Sequence, residues 1–247
     1  LLFCRWLPEA FKEAIIPSVG DSCRYGRKPE ADADSRFTAD CPEPFSLSGG
    51  GEFWSLTDSV KRNGSMDFEM HTQNLNFLTG LADIAPDGSI IVPDSMHLAA
   101  RLGMEGAQCT AALKLKEKEG ALNLDAAYNL ATEAYHADLA INNLQVHHFL
   151  PKDSIYTLTA KMSAKGQGVD VASRKTVAAL NASLEKLQYG HWDISGVDVH
   201  AGLKSSVATV RLASDNVLLK MQGNADMRLD RSYLDGAWIK CGRGESA

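Results

Sequence analysis

The chain has little of what most functional classes need. No stretch of its 247 residues approaches the roughly 20 consecutive apolar positions of a membrane-spanning helix, and the apolar opening Leu1-Leu2-Phe3 breaks at Arg5 and Pro8. A spanning helix and a recognisable signal peptide are therefore not expected in these residues. The five cysteines, Cys4, Cys23, Cys41, Cys109 and Cys241, show no CxxC or CxH spacing, which argues against both a zinc site and a disulfide framework. Cys109, inside the regular part, reads as a small buried apolar residue. Positive charge is short as well: the net charge is -6 and the isoelectric point about 5.6. A nucleic-acid partner is set aside, because phosphate recognition rests on clustered Lys and Arg.

Chemical signatures are equally thin. The nucleophile elbow, the HExxH helix and the phosphate-binding loop do not occur. Gly49-Gly50-Gly51 lacks the Lys-Ser/Thr and helix that would make it a phosphate cradle, and it reads as a turn. His147-His148 does not read as a metal pair, since adjacent strand residues face opposite ways and no carboxylate stands nearby in a ligand spacing. Asp153, Asp193 and Asp198 could be combined as glycosidase acids, which need two carboxyls about 5 to 10 Å apart. Each instead falls at a turn or on the polar phase of a strand. Trp54, Trp192 and Trp238 read as core or rim aromatics rather than as a sugar platform. The expectation is a protein with no catalytic residues, no metal and no cofactor.

What the chain has in abundance is alternation. From about Phe45, apolar and polar residues exchange with a period of two, the pattern of a strand with one covered face. Met66, Phe68 and Met70 begin it; Met96 to Met104, Cys109 to Leu115, Leu122 to Leu130, Tyr135 to Ile141, Tyr156 to Ala164, Ala178 to Leu184, Ala208 to Leu212 and Leu219 to Leu229 continue it. Glu117 to Gly120 and Gly166-Gln167-Gly168 read as turns of a hairpin meander. The phase slips before Leu187 and Tyr189 and again around Gly196, where a bulge is expected. Residues 1–44, with Pro8, Pro17, Pro29, Pro42 and Pro44, read as an irregular arm, not obviously native to the rest, with one short helical stretch over Leu7 to Ile16.

A faint repeat is also present. Asn74-Leu75-Asn76-Phe77-Leu78 leads to Pro93 and a long strand, and Asn143-Leu144-Gln145-Val146 leads to Pro151 and another. The boundaries expected are 1–44 for the arm, 45–238 for the β segment with units of about 64–135 and 136–230, and 239–247 for a tail. The start at Leu1 and the abrupt end after Cys241 suggest a fragment. No long amphipathic helix follows residue 45, so nothing obvious covers the apolar face. Either the face closes on itself as a barrel or sandwich core, or the sheet curls into an open apolar trough. A nine-residue strand is about 30 Å long, comparable to an extended acyl chain.

Five phrases in order point further: Gly64–Met70, Asn74–Leu81, Asp138–Leu144 running into Phe149–Ser154, Leu187–Gly190 into Ile194–Val197, and Ser214–Met221. Over about Phe45 to Trp238 the chain resembles the C-terminal half of the TamB family, the translocation and assembly module proteins of the AsmA-like envelope group. The resemblance implies an all-β fold, a long curved antiparallel meander forming a hydrophobic groove of the β-taco type, with short helical turns between units. It also implies a periplasmic protein anchored in the inner membrane of a Gram-negative cell, carrying phospholipid toward the outer membrane. The groove would be lined by Met96, Leu98, Leu102, Met104, Leu124, Leu139, Leu158, Met162, Leu180, Met221 and Met227. The alternative is a scaffold for assembling outer-membrane proteins with a barrel partner of the TamA type.

Overall fold

The computed structural model describes residues 24–27, 35–41, 46–55, 58–72, 89–93, 95–218 and 220–229. Its strands are β1 Arg24–Arg27, β2 Ser35–Cys41, β3 Ser46–Trp54, β4 Asn63–His71, β5 Met96–Glu105, β6 Gln108–Glu117 and β7 Gly120–Asn129. They continue with β8 Ala134–Gln145, β9 Ile155–Gln167, β10 Val177–Tyr189, β11 Trp192–Ile194, β12 Val197–Lys204, β13 Val207–Asp215 and β14 Lys220–Arg228. All belong to one 14-stranded sheet in which each strand pairs with the next in sequence, except that both β11 and β12 pair with β10. Every pairing is antiparallel. The expected all-β antiparallel meander is thus what forms.

Turn chemistry explains the order. β6 and β7 are joined by Lys118-Glu119, and β12 and β13 by Ser205-Ser206, whose φ values of 53° and 60° are those of a type I′ turn. Such two-residue turns match the right-handed strand twist and fix the register of the hairpin they close. The β5–β6 turn uses Gly106 at φ 53°, a left-handed position where glycine carries no Cβ penalty. The slip before Leu187 is a bulge, with register shifts between Leu184 and Lys186 and between Leu187 and Tyr189. Around Gly196 the strand breaks outright into β11 and β12, with Gly196 at φ 63°. A further bulge between Ile141 and Leu144 in β8 holds Asn143 at φ 46°.

Several expectations need correction. Within the stretch read as an irregular arm, β1 and β2 are strands that extend the sheet, because backbone pairing asks nothing of side-chain periodicity. The Leu7 to Ile16 stretch, Asn74–Leu78, Trp238 and the 239–247 tail lie outside the described residues. Gly49-Gly50-Gly51 is not a turn but the middle of β3. A Cβ at Gly49 would stand 2.7 Å from the Phe68 Cβ, and one at Gly51 2.6 Å from the Met66 Cβ; the glycines make room for two large neighbours. Gly166-Gln167 ends β9 rather than turning, and the boundary proposed at 135/136 falls inside β8. Cys109 is half-buried.

The largest correction concerns shape. The sheet is open and uncurled, so it makes neither a closed core nor a taco. Curling a sheet needs bulges or glycine kinks repeated at corners. From β3 to Ile141 in β8 the register instead runs without a break. Among the described residues the buried apolar side chains are Leu47, Met96, Ala100, Ala127, Leu144 and Leu203. The remaining apolar positions are half-buried or exposed.

Candidate functional site

Directly opposed residues of an antiparallel pair share a face, so the registers define rows across the sheet. One row runs Phe68, Ala100, Leu113, Leu124, Leu139, Met162, Ala182, Val199, Leu212 and Gly223. The next, two residues along each strand, runs Met66, Leu102, Ala111, Ala126, Ala137, Ala164, Leu180, Ala201, Val210 and Ala225. A third holds Met104, Cys109, Tyr128, Tyr135, Gly166, Ala178, Leu203, Ala208 and Met227. These rows form one continuous apolar surface.

Side-chain size gives that surface relief. Across β6 to β9 the middle row is Ala111, Ala126, Ala137 and Ala164, between a rank of Leu113, Leu124, Leu139 and Met162 and a rank carrying Tyr128 and Tyr135. The result is a furrow about 14 Å long across four strands at ~4.8 Å spacing. Leu102 and Leu180 stand at its two ends. The Tyr135 ring covers Gly166, whose added Cβ would lie 2.5 Å from the Tyr135 hydroxyl oxygen. The four alanines are half-buried, as small side chains are when no second layer lies over them.

The eleven residues expected to line a groove all fall on this face by register. Their environments differ. Met96 is 6% exposed, whereas Met162, Met221 and Met227 are exposed and the other seven half-buried. One charge interrupts the apolar face: Glu117, paired in register with Met96, is fully buried. His148 Nδ1 lies 2.9 Å from its Oε1, while its Oε2 has no hydrogen-bond partner among the described residues.

The opposite face is polar. It carries the Arg101–Asp67 ion pair, Lys161 donating to Glu185 at 2.5 Å, and a His200–Asn181 hydrogen bond of 2.7 Å. Asp125 and Asp138 face each other directly across β7 and β8. A shallow depression of about 360 Å³ lies over this face, lined by Asp125, Asp138, Lys161, Ser163, Asn181 and His200 among others. The concavity therefore accompanies the polar residues, against the expectation of an apolar trough.

The remaining sequence candidates are scattered. Asp153 is exposed in the turn before β9, Asp193 is exposed in β11, and Asp198 is exposed on β12. Trp54 ends β3, and Trp192 is exposed in β11. His147 and His148 are not strand residues but part of a 3-10 turn, Val146–His148, which places His148 against the Glu117 carboxylate that spacing alone does not reveal. Sequence reasoning also missed Glu69, His71 and His97. Their ligand atoms lie within 4.8 Å of one another, although a connection of more than twenty residues separates the two histidines. The signal available was that each holds the polar phase at the end of its strand.

Comparison with protein-family models gives no match, and comparisons with curated proteins and with solved structures give none. No helix among the described residues is long and apolar enough to cross a membrane.

Proposed function

We propose that the chain is a non-enzymatic segment of a lipid-carrying envelope protein, which holds phospholipid acyl chains on its apolar face on their way between inner and outer membrane. The observation that carries this reading is the apolar surface, ten strands wide from β4 to β14, over which described residues lie only at the end where His148 meets the buried Glu117, the rest being half-buried or exposed. Monomeric proteins rarely leave apolar patches of more than a few hundred Å² uncovered unless they bind something. A sixteen-carbon chain gains ~0.8 kcal/mol per CH₂ when fully covered. On an open surface about half of each methylene is covered, so the gain is about 6 kcal/mol. That is loose enough for exchange, as a carrier requires. The alanine furrow runs across the strands and orients the chain along the long axis of the sheet.

The test is lipid capture during purification without denaturant, read by native mass spectrometry and by transfer of a labelled phospholipid between vesicles. Leu158→Glu or Met162→Lys should abolish both, while Lys161→Gln on the polar face leaves them intact. Equal behaviour of all three variants rules the reading out.

One observation favours a second reading. β14 pairs only with β13 among the described residues, and all nine of its residues are exposed. Such an edge suits strand addition by an outer-membrane client or barrel partner. In that case Asn224→Pro in β14 impairs client binding more than Leu158→Glu does.

A further inference from the structure

We propose that Glu69, His71 and His97 form a binding site for one first-row divalent metal ion, of the zinc type, on the polar face of β4 and β5. His71 and His97 oppose each other directly across the two strands, and their rings stack with centroids 4.3 Å apart and planes 23° from parallel. Both turn Nε2 toward one carboxylate oxygen, Glu69 Oε1, at 3.7 Å and 2.6 Å. A plain ion pair would need one imidazole. Two imidazoles and a carboxylate converging on one point are the donor set that zinc takes in sites with an open fourth position. Metal–ligand bonds of about 2.0 to 2.2 Å put tetrahedral donors roughly 3.4 Å apart. The three atoms already stand within 4.8 Å, and partly exposed side chains close the difference by rotamer adjustment.

The backbone beneath is held still. Thr72, the next residue, is 1% exposed and ties the two strands together: its Oγ1 donates to the Pro93 carbonyl at 2.7 Å and accepts from Met96 N–H at 2.9 Å. Ser46 on β3 flanks His71 and Lys116 on β6 flanks His97. Lys116 is the directly opposed neighbour of His97 and is exposed; its flexible ammonium can turn into water, away from a bound ion. Soft thiolates are missing from the set, which favours zinc, nickel or copper over iron–sulfur chemistry, and two nitrogens disfavour calcium and magnesium. Bound there, the ion cross-links β4 to β5 where the chain leaves for the connection between them. The inference is independent of the lipid reading.

The experiment is calorimetric titration of the full chain with Zn²⁺ in a non-chelating buffer, alongside Co²⁺ monitored by visible absorption. One equivalent should bind, with a visible band for Co²⁺ in a low-coordinate nitrogen and oxygen field. His71→Asn, His97→Gln and Glu69→Gln should each weaken Zn²⁺ at least tenfold, and His147→Gln should not. If the three variants bind within twofold of the parent, or if His147→Gln alone removes the binding, the site is not there. Should a variant fold poorly, the imidazole resonances of the parent chain decide: Zn²⁺ must shift those of His71 and His97 and leave the other five of the seven histidines in place.

Discussion

Single residues hold this sheet together at a few points where polar groups leave water. Thr72 is the clearest. It is buried between the end of β4 and the start of β5, with its hydroxyl bridging Pro93 and Met96. Thr72→Val keeps the shape but strands a carbonyl and an amide, which costs about 1 to 3 kcal/mol; urea denaturation monitored by tyrosine and tryptophan fluorescence should show a lower midpoint with an unchanged slope. Asp58 acts at the surface. The amides of Val60 and Lys61 donate to its Oδ1 at 2.9 and 3.1 Å, and those bonds, helped by the Lys61 and Arg62 charges, hold its carboxyl below the ordinary carboxylate range. The folded pKa being the lower one, the contribution is present above the unfolded value and disappears as pH falls through the folded value. A carbon-detected titration should find Asp58 protonating at lower pH than an aspartate of the unfolded chain, with the Val60 and Lys61 amides shifting in step. At this scale the sequence was a good guide to which way a side chain faces and a poor one to its neighbours. Period-two phase placed Leu98, Leu124 and Met162 on one face, but Glu69, His71 and His97 met only through a register that no local spacing encodes.

Elements were legible wherever alternation was unbroken. The strands from Met96 to Ile141 appear with the phase and turns that their patterns imply, because a one-residue slip would expose an entire apolar set; Asn143–Gln145, read as part of a non-strand element, instead continue β8 beyond a bulge. Mid-strand insertion tests this. One alanine inserted between Leu124 and Asp125 turns Asp125 and all later residues of β7 over; soluble yield should collapse. The same insertion between Lys118 and Glu119 alters only an exposed turn and should shift the melting temperature by a few degrees at most. Glycine misled because it signals both turns and close approach: Gly49 and Gly51 clear space for Phe68 and Met66, a cross-strand relation invisible along the chain. The furrow was hidden for the same reason. Ala111, Ala126, Ala137 and Ala164 are ordinary alternation in their own strands, and only stacked registers align them. Filling it with Ala137→Trp should reduce retained phospholipid severalfold while stability changes little, since that side of the sheet has room.

The whole molecule is where sequence and structure part most. An apolar face with no cover evident in the sequence led to the expectation of a curl, yet curvature is set by bulges and kinks, and among the described residues the register shifts lie in β8 and β10, with a break between β11 and β12. A one-layer sheet gains stability mainly from ladder neighbours, so unfolding should proceed from the edges inward in the manner of repeat arrays. Hydrogen exchange should find the slowest amides in β6 to β9 and progressively faster ones toward β14. Phospholipid micelles should slow exchange across the apolar face and raise the melting temperature with concentration, as any ligand of the native state must. A temperature midpoint indifferent to micelles would count against lipid as the occupant of that face.

Pairing of each strand with the next, with β11 alone off the path, also makes the sheet a ruler. Each added hairpin lengthens the surface by about 10 Å, two strand spacings, without disturbing any contact already made elsewhere. Reach is then inherited as a number of hairpins. Gaining or losing a whole hairpin changes only how far the surface extends, whereas a single-residue insertion within a strand changes which face meets water.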